Sequence, residues 1–407
     1  MKRATLLTTL TLPFLFVASY VAVAQESDGA SEKTAIAAKL DEIKAQFAPD
    51  KRLELFNVEF SENANPPKAR LETTSAAARN AALELQKDFR NWKIEAALYP
   101  EENDELDGKW RAIVVYSTIQ IQTAPDYGAE WSTQSLMGTP VRVLKKTPSY
   151  WILVQNADGY IGYTTRGSVR RMTQEEYDAW LDAPRLVWLR NVGDIFSEPD
   201  ANSASISDLV ANNVMVWKDQ EERDGYYRVE TPDGRLGWIE ASGAMEWNEW
   251  LATRELTAEN LIASVRRMLG RPYVWGGTSA KGVDCSGLIN FAFYTNGYNI
   301  LRDVSQIQRE GIEVDMSKGW RGYEPGDLLL FGAKRSNGAI GWRHVGLYIG
   351  DGLFIHSATS VHEASLDPDS PLYDEGNAKE LQKVARMIGA PETEYFHPIG
   401  KNKAYAK

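Results

Sequence analysis

The stretch GRPYVWGGTSAKGVDCSGLINFAF, residues 270–293, holds Cys285, the single cysteine among 407 residues. It sits between Asp284 and a Ser-Gly pair, just ahead of Leu288, Ile289, Phe291, Ala292 and Phe293. That apolar density predicts a buried central helix with Asp284 and Ser286 bracketing its start. Cys285 then falls in the first turn, where unpaired backbone N–H groups and the helix dipole favour a thiolate. The same N–H groups suit the oxyanion of a tetrahedral intermediate. The competing reading is a small buried hydrophobe, which belongs more naturally in mid-helix on the apolar face.

A thiolate nucleophile needs a base, and the chain has four histidines. His344 and His356 flank an apparent hairpin, HVGLYIGDGLFIH. A three-residue loop at 349–351 makes them cross-strand partners on one face, because 344 + 356 = 348 + 352. A two-residue Asp351-Gly352 loop puts them on opposite faces. With the odd loop, His344 takes the proton from Cys285 and His356 holds the His344 ring in its productive tautomer. His362 and His397 lie in looser surroundings. As metal ligands, Cys285, His344 and His356 would be spaced by 344 − 285 = 59 and 356 − 344 = 12 residues, which matches no short ligand motif. No metal or cofactor is expected.

Upstream, residues 123–163 and 197–238 repeat one another. Pro125-Asp126 answers Pro199-Asp200, an offset of 199 − 125 = 74, and Asp158-Gly159 answers Asp233-Gly234, an offset of 233 − 158 = 75. Short alternating strands with Asp-Gly turns predict two small β-barrels. MTQEEYDAWLDAP (172–184) and EWNEWLATREL (246–256) read as helical connectors, and Thr257 as the N-cap of the helix leading into the cysteine segment. Residues 34–99 read as a small α+β domain, with Ser75 capping its helix, and EENDELDG (101–108) as an acidic linker.

The segments RPYVWGG…VDCSGLINFAFY, EPGDLLLFG and RHVGLYIGDGLFIHSA, in that order, resemble the NlpC family of papain-like cell-wall cysteine peptidases over about 257–400. The resemblance implies an α+β papain-like core, with Cys285 as nucleophile, His344 as base, His356 as the orienting third residue and Tyr273 beside the nucleophile. The two repeats, 110–171 and 185–245, resemble bacterial SH3-type (SH3b) barrels, although the first ends Gly162-Tyr163-Thr164 where such barrels often end Gly-Trp-Val. Two such units before a peptidase of this kind resemble the γ-D-glutamyl-L-diamino acid endopeptidases, which cut peptidoglycan stem peptides bearing a free N-terminal L-alanine. That likeness implies that Glu130, Tyr160 and Asp284 hold the free amine. Ser286 and Ser305 are weaker candidates for the substrate carboxylates. The rival readings are an SH3b wall-binding protein with a vestigial peptidase domain, and an amidase or endopeptidase acting on intact wall.

The start MKRATLLTTLTLPFLFVASYVAVAQESDG reads as an export signal, cleaved near Ala24 after a basic start and a short apolar run. The run is too short for a convincing membrane anchor, so a soluble, monomeric protein of the periplasm or the exterior is expected, with peptidoglycan stem peptides as its partners. A formal charge of −11 argues against nucleic acid, which needs a dense basic face. One cysteine forms no internal disulfide, and a lone thiol in an oxidising compartment favours a thiol that is used.

Overall fold

The computed structural model describes residues 15–405. The first fourteen residues of the expected export signal lie outside the described residues; its remainder opens the helix Leu15–Phe47. Among the described residues no helix is long and apolar enough to cross a membrane. The chain divides into two compact units, 1–99 and 100–407.

In the first unit, strands Phe56–Ser61, Lys68–Thr73 and Lys93–Leu98 form a sheet in that order, the first pair antiparallel and the second parallel. The parallel pair requires a crossover, which the helix Ala76–Glu84 supplies; Ser75 caps it by accepting from the Ala78 amide. Ile36, Leu40, Leu71, Ala78, Trp92 and Ile94 form its core.

The second unit opens with a correction. The acidic run 101–108 is not a free linker: Leu106 is fully buried in the core of the first barrel, and the Asn103 side chain donates to the Leu144 carbonyl at 2.9 Å. One apolar residue among the acids decides its fate. Each repeat then folds as a seven-stranded antiparallel sheet, and the strand orders are identical. The first begins at Arg111 and ends with Val169–Met172, the second at Arg185 and with Ala244–Glu246. The offsets, 185 − 111 = 74 and 244 − 169 = 75, are those of the sequence repeat. The barrels abut where Gly138 (φ +82°) would carry a Cβ 2.3 Å from the Val214 carbonyl oxygen, which leaves room only for glycine.

The helices Gln174–Asp182 and Trp247–Thr253 do more than connect. Their Tyr177, Trp180, Trp247 and Trp250 pack with Ile113 and Met172 of the first barrel, Val187 and Val214 of the second and Ile399 of the C-terminal segment. Barrels and C-terminal domain therefore share a core. That domain carries the helix Cys285–Thr295 against a six-stranded antiparallel sheet. Its strands are β1 (Ile312–Glu313), β2 (Leu328–Lys334), β3 (Ile340–Gly350), β4 (Leu353–Ser357), β5 (Val361–Ser365) and β6 (Leu381–Arg386), in the order β1-β6-β2-β3-β4-β5. Thr257 caps the preceding helix, Ala258–Arg266, by accepting from the Asn260 amide.

Candidate active site

Cys285 is the first residue of its helix and is buried. Asp284 is the N-cap, its Oδ1 accepting from the Gly287 amide at 2.7 Å. The Leu288 amide turns back to the Asp284 carbonyl, and the Ser286 amide points at the sulfur, as does the amide of Val345 on β3. The thiol thus lies between a helix N-terminus and the strand that carries His344. Burial pushes the Cys285 thiol up to about 11, with the Asp284 charge adding to the shift and Arg302 opposing it. Against the expected thiolate, exclusion of water thus favours the neutral thiol over the pull of the helix amides.

His344 and His356 come together by a route that differs from the expected one. The loop is the two-residue Asp351-Gly352, both at positive φ. Alone it would place the histidines on opposite faces, but the register slips between Tyr348 and Gly350, leaving Ile349 as a bulge. The bulge restores the parity. His356 stands opposite Gly346, and His344, two residues back on the same face, reaches it diagonally. A Cβ on Gly346 would lie 3.4 Å from that of His356, so the missing side chain opens the space between the rings. His344 Nε2 meets His356 Nδ1 at 2.7 Å. Burial, with a smaller contribution from His356, pushes His344 down to about 3. Burial, aided by His362, pushes His356 down to about 4. Both imidazoles are neutral at physiological pH, in keeping with the neutral thiol.

The remaining predicted residues separate into two groups. Asp284, Ser286 and Tyr273 surround the nucleophile. Tyr273 is half-buried, and burial raises its phenol, with the Cys285 and Asp284 charges adding, so it stays a proton donor. Asp284 is committed inward. Its oxygens accept from the Gly276 and Gly287 amides and, twice, from Arg302 at 3.1 and 2.6 Å. Ser286 Oγ accepts from Arg302 at 2.7 Å. These bonds tie Asp284 and Ser286 to Arg302, so the two residues expected at the substrate also brace the cysteine helix.

Glu130, Tyr160 and Ser305 form the second group. Glu130 is exposed at the start of the first-barrel strand Trp131–Leu136. That strand is pinned to the cysteine domain: Gly276 packs on Trp131, Gln134 accepts from the Thr278 amide and the Ser279 hydroxyl, and Thr133 accepts from Arg302. Tyr160 is buried and its hydroxyl donates to Asp303 at 3.2 Å. Asp303 caps the short helix Val304–Ile307 that carries the half-buried Ser305.

Arg302, Asp303 and His362 were missed by sequence reasoning. Arg302 is 2 % exposed, its planar fork spanning Asp284, Ser286 and Thr133. A lone arginine between Leu301 and Val304 was the available signal. The Asp284 charge holds its guanidinium fully protonated against the burial that opposes it.

Residues 270–383 match the model of the NlpC/P60 family, and residues 121–166 match that of the bacterial dipeptidyl-peptidase Sh3 domain. A dipeptidyl-peptidase 6 of Lysinibacillus sphaericus is 28 % identical over 288 residues, 68 % of this chain and 99 % of that one. A γ-D-glutamyl-L-lysine dipeptidyl-peptidase of Bacillus subtilis is 29 % identical over 235 residues, 55 % of this chain and 71 % of that one. A solved NlpC/P60 family protein from Bacillus cereus superimposes with a TM-score of 0.57 at 24 % identity, covering 68 % of this chain and 99 % of that one, and shares the fold. The chain therefore carries an NlpC/P60 cysteine-peptidase domain behind an SH3-like barrel.

Two measurements check the electrostatics. Replacing Arg302 by Met leaves Asp284 charged, buried and unpaired, and urea denaturation should show a loss of about 3–5 kcal/mol. Adding Asp284→Asn should recover part of that loss, since Asn keeps an acceptor for the cap without the charge; an unchanged single variant would contradict the assignment. Alkylation of the folded protein by iodoacetamide should accelerate with pH towards about 11, where the thiol titrates. A rate already level from mildly acidic pH upward would instead reveal a standing ion pair.

Proposed function

We propose that this protein is an exported cysteine peptidase that hydrolyses the bond between the D-glutamate γ-carboxyl and the diamino acid in peptidoglycan stem peptides with a free N-terminal L-alanine. The observation that carries the reading is a cysteine at a helix N-terminus beside a hydrogen-bonded histidine pair, under a wall supplied by the first barrel. The names of the relatives support the bond and the peptide class. That the chain's own barrel builds the wall supports a monomeric enzyme.

As the substrate carbonyl meets Cys285, its proton passes to His344, so the thiolate exists only as it attacks. The general-base route follows from a neutral thiol facing a neutral imidazole. His356 holds the His344 ring and shares the positive charge that develops. The Ser286 amide and the protonated Tyr273 hydroxyl lie next to the sulfur, where they stabilise the oxyanion. His344 returns the proton to the leaving amine of the diamino acid. Water then attacks the L-Ala-γ-D-Glu thioester, again with His344 as base.

Amine selection falls to the rim. Glu130 and the Tyr160–Asp303 pair place negative charge and oxygen acceptors where the barrel closes the cleft. An ammonium group gains charge-assisted hydrogen bonds there, and an acylated nitrogen does not. Ser305, on the same short helix as Asp303, lies where a substrate carboxylate can accept from it. Asp284 acts behind the nucleophile, holding the helix through Arg302.

Mass spectrometry of L-Ala-γ-D-Glu-meso-diaminopimelate digests, with and without an N-acetyl cap, tests this reading. Wild type should cleave the free-amine peptide roughly 10- to 100-fold faster than the capped one, on the scale of lost hydrogen bonds to a charged group, and Cys285→Ala should cleave neither. Equal cleavage of both peptides would remove the amine gate. Binding to peptidoglycan without cleavage of any stem peptide would overturn the enzyme.

A further inference from the structure

His362 has no part in the reaction as written, yet it continues the line of rings. It is the in-register cross-strand partner of His356 on β5, and the two Nε2 atoms lie 2.9 Å apart. Its Nδ1 lies 2.8 Å from the Ser360 carbonyl oxygen. The ring centroids are 4.9 Å apart from His344 to His356 and 4.4 Å from His356 to His362. His356 is 1 % exposed, whereas His362 faces solvent.

We propose that His362 is a positioning residue that sets the direction of every hydrogen bond in a three-histidine relay and so presents the correct nitrogen of His344 to Cys285. A carbonyl oxygen only accepts, so Nδ1 of His362 carries the proton. Nε2 of neutral His362 is then an acceptor, and His356 donates to it from its own Nε2. The Nδ1 of His356 becomes an acceptor for His344 Nε2–H. What remains on His344 is a bare Nδ1 lone pair, the base. The chain of assignments starts at one backbone carbonyl, and each link forces the next because a neutral imidazole has one donor and one acceptor.

The charged groups around the relay are Asp374, whose carboxylate favours the protonated forms of both His344 and His356, and Arg343, which disfavours that of His344. Beside β5 stand Arg271, on the segment that pairs with Val361, and the Arg266–Glu363 ion pair.

The inference rests on His344 being the base, and the test separates the two. In resting enzyme labelled with 15N-histidine, NMR should show His344 as the Nε2–H tautomer at neutral pH, whatever the peptidase activity. His362→Phe keeps a ring but loses the acceptor: His344 should become a mixture of tautomers, and kcat should fall roughly 10- to 100-fold with KM unchanged, part of the 10²–10⁴-fold that a positioned base supplies. His362→Gln keeps an acceptor for the His356 Nε2–H, so it should restore the single His344 tautomer and most of kcat. A His344 tautomer indifferent to His362→Phe, or a kcat in His362→Gln no higher than in His362→Phe, would overturn the relay. An exposed residue tolerates both changes, so loss of fold does not confuse the outcome.

Discussion

Five donors converge on the carboxylate of Asp284: two backbone amides, the Ser286 hydroxyl and two nitrogens of a buried arginine. The rest of the site depends on that convergence. An unpaired carboxylate at 6 % exposure would be costly, and so would an unpaired guanidinium. Together they hold each other in place, and Arg302 has a donor left for Thr133 of the first barrel. The helix that carries Cys285 is thus capped by the group that ties it to the barrel, and the barrel becomes a fixed wall of the cleft rather than a tethered module. The shared aromatic core around Trp180, Trp247 and Trp250 keeps the same bodies together on the far side of that joint.

Burial sets the chemistry as well as the architecture. The sulfur, both inner histidines and Tyr273 are withdrawn from water, and each is driven towards its neutral form. A neutral site has one advantage: every hydrogen bond in it has a definite direction, so an imidazole chain anchored at the Ser360 carbonyl delivers a lone pair at one nitrogen. In the proposed mechanism the charge develops only when substrate arrives, next to the amides and the phenol that would stabilise it.

Local pattern made part of this legible. The cysteine helix, its Asp284 cap, the two repeats and the Ser75 and Thr257 caps are written within windows of a dozen residues, and periodicity or capping chemistry suffices to read them. The barrels' common strand order follows from a repeat whose register drifts by a single residue. Parity across the hairpin was not readable, because Ile349 bulges only in answer to the sheet around it, and a single slipped residue reverses which face a side chain occupies. Leu106 looked like part of a charged linker because its burial depends on a barrel that follows it in sequence. Arg302 and His362 were invisible for the same reason: each acquires its meaning from partners on other elements, Thr133 at a separation of 169 residues and His356 across a strand. Asp284 shows the converse. Its position beside the cysteine was plain, but whether it faced substrate or the interior depended on an arginine that pattern did not connect to it.

The central claim is that Cys285 becomes acylated by the L-Ala-γ-D-Glu half of the substrate. Intact-protein mass spectrometry, followed by peptide mapping, of enzyme acid-quenched within the first turnover of an activated L-Ala-γ-D-Glu γ-ester measures this directly. The account predicts an adduct with the mass of one L-Ala-D-Glu acyl group, confined to the peptide containing Cys285 and absent from Cys285→Ala. Turnover of the ester without any covalent adduct, or an adduct that persists in Cys285→Ala, would contradict it.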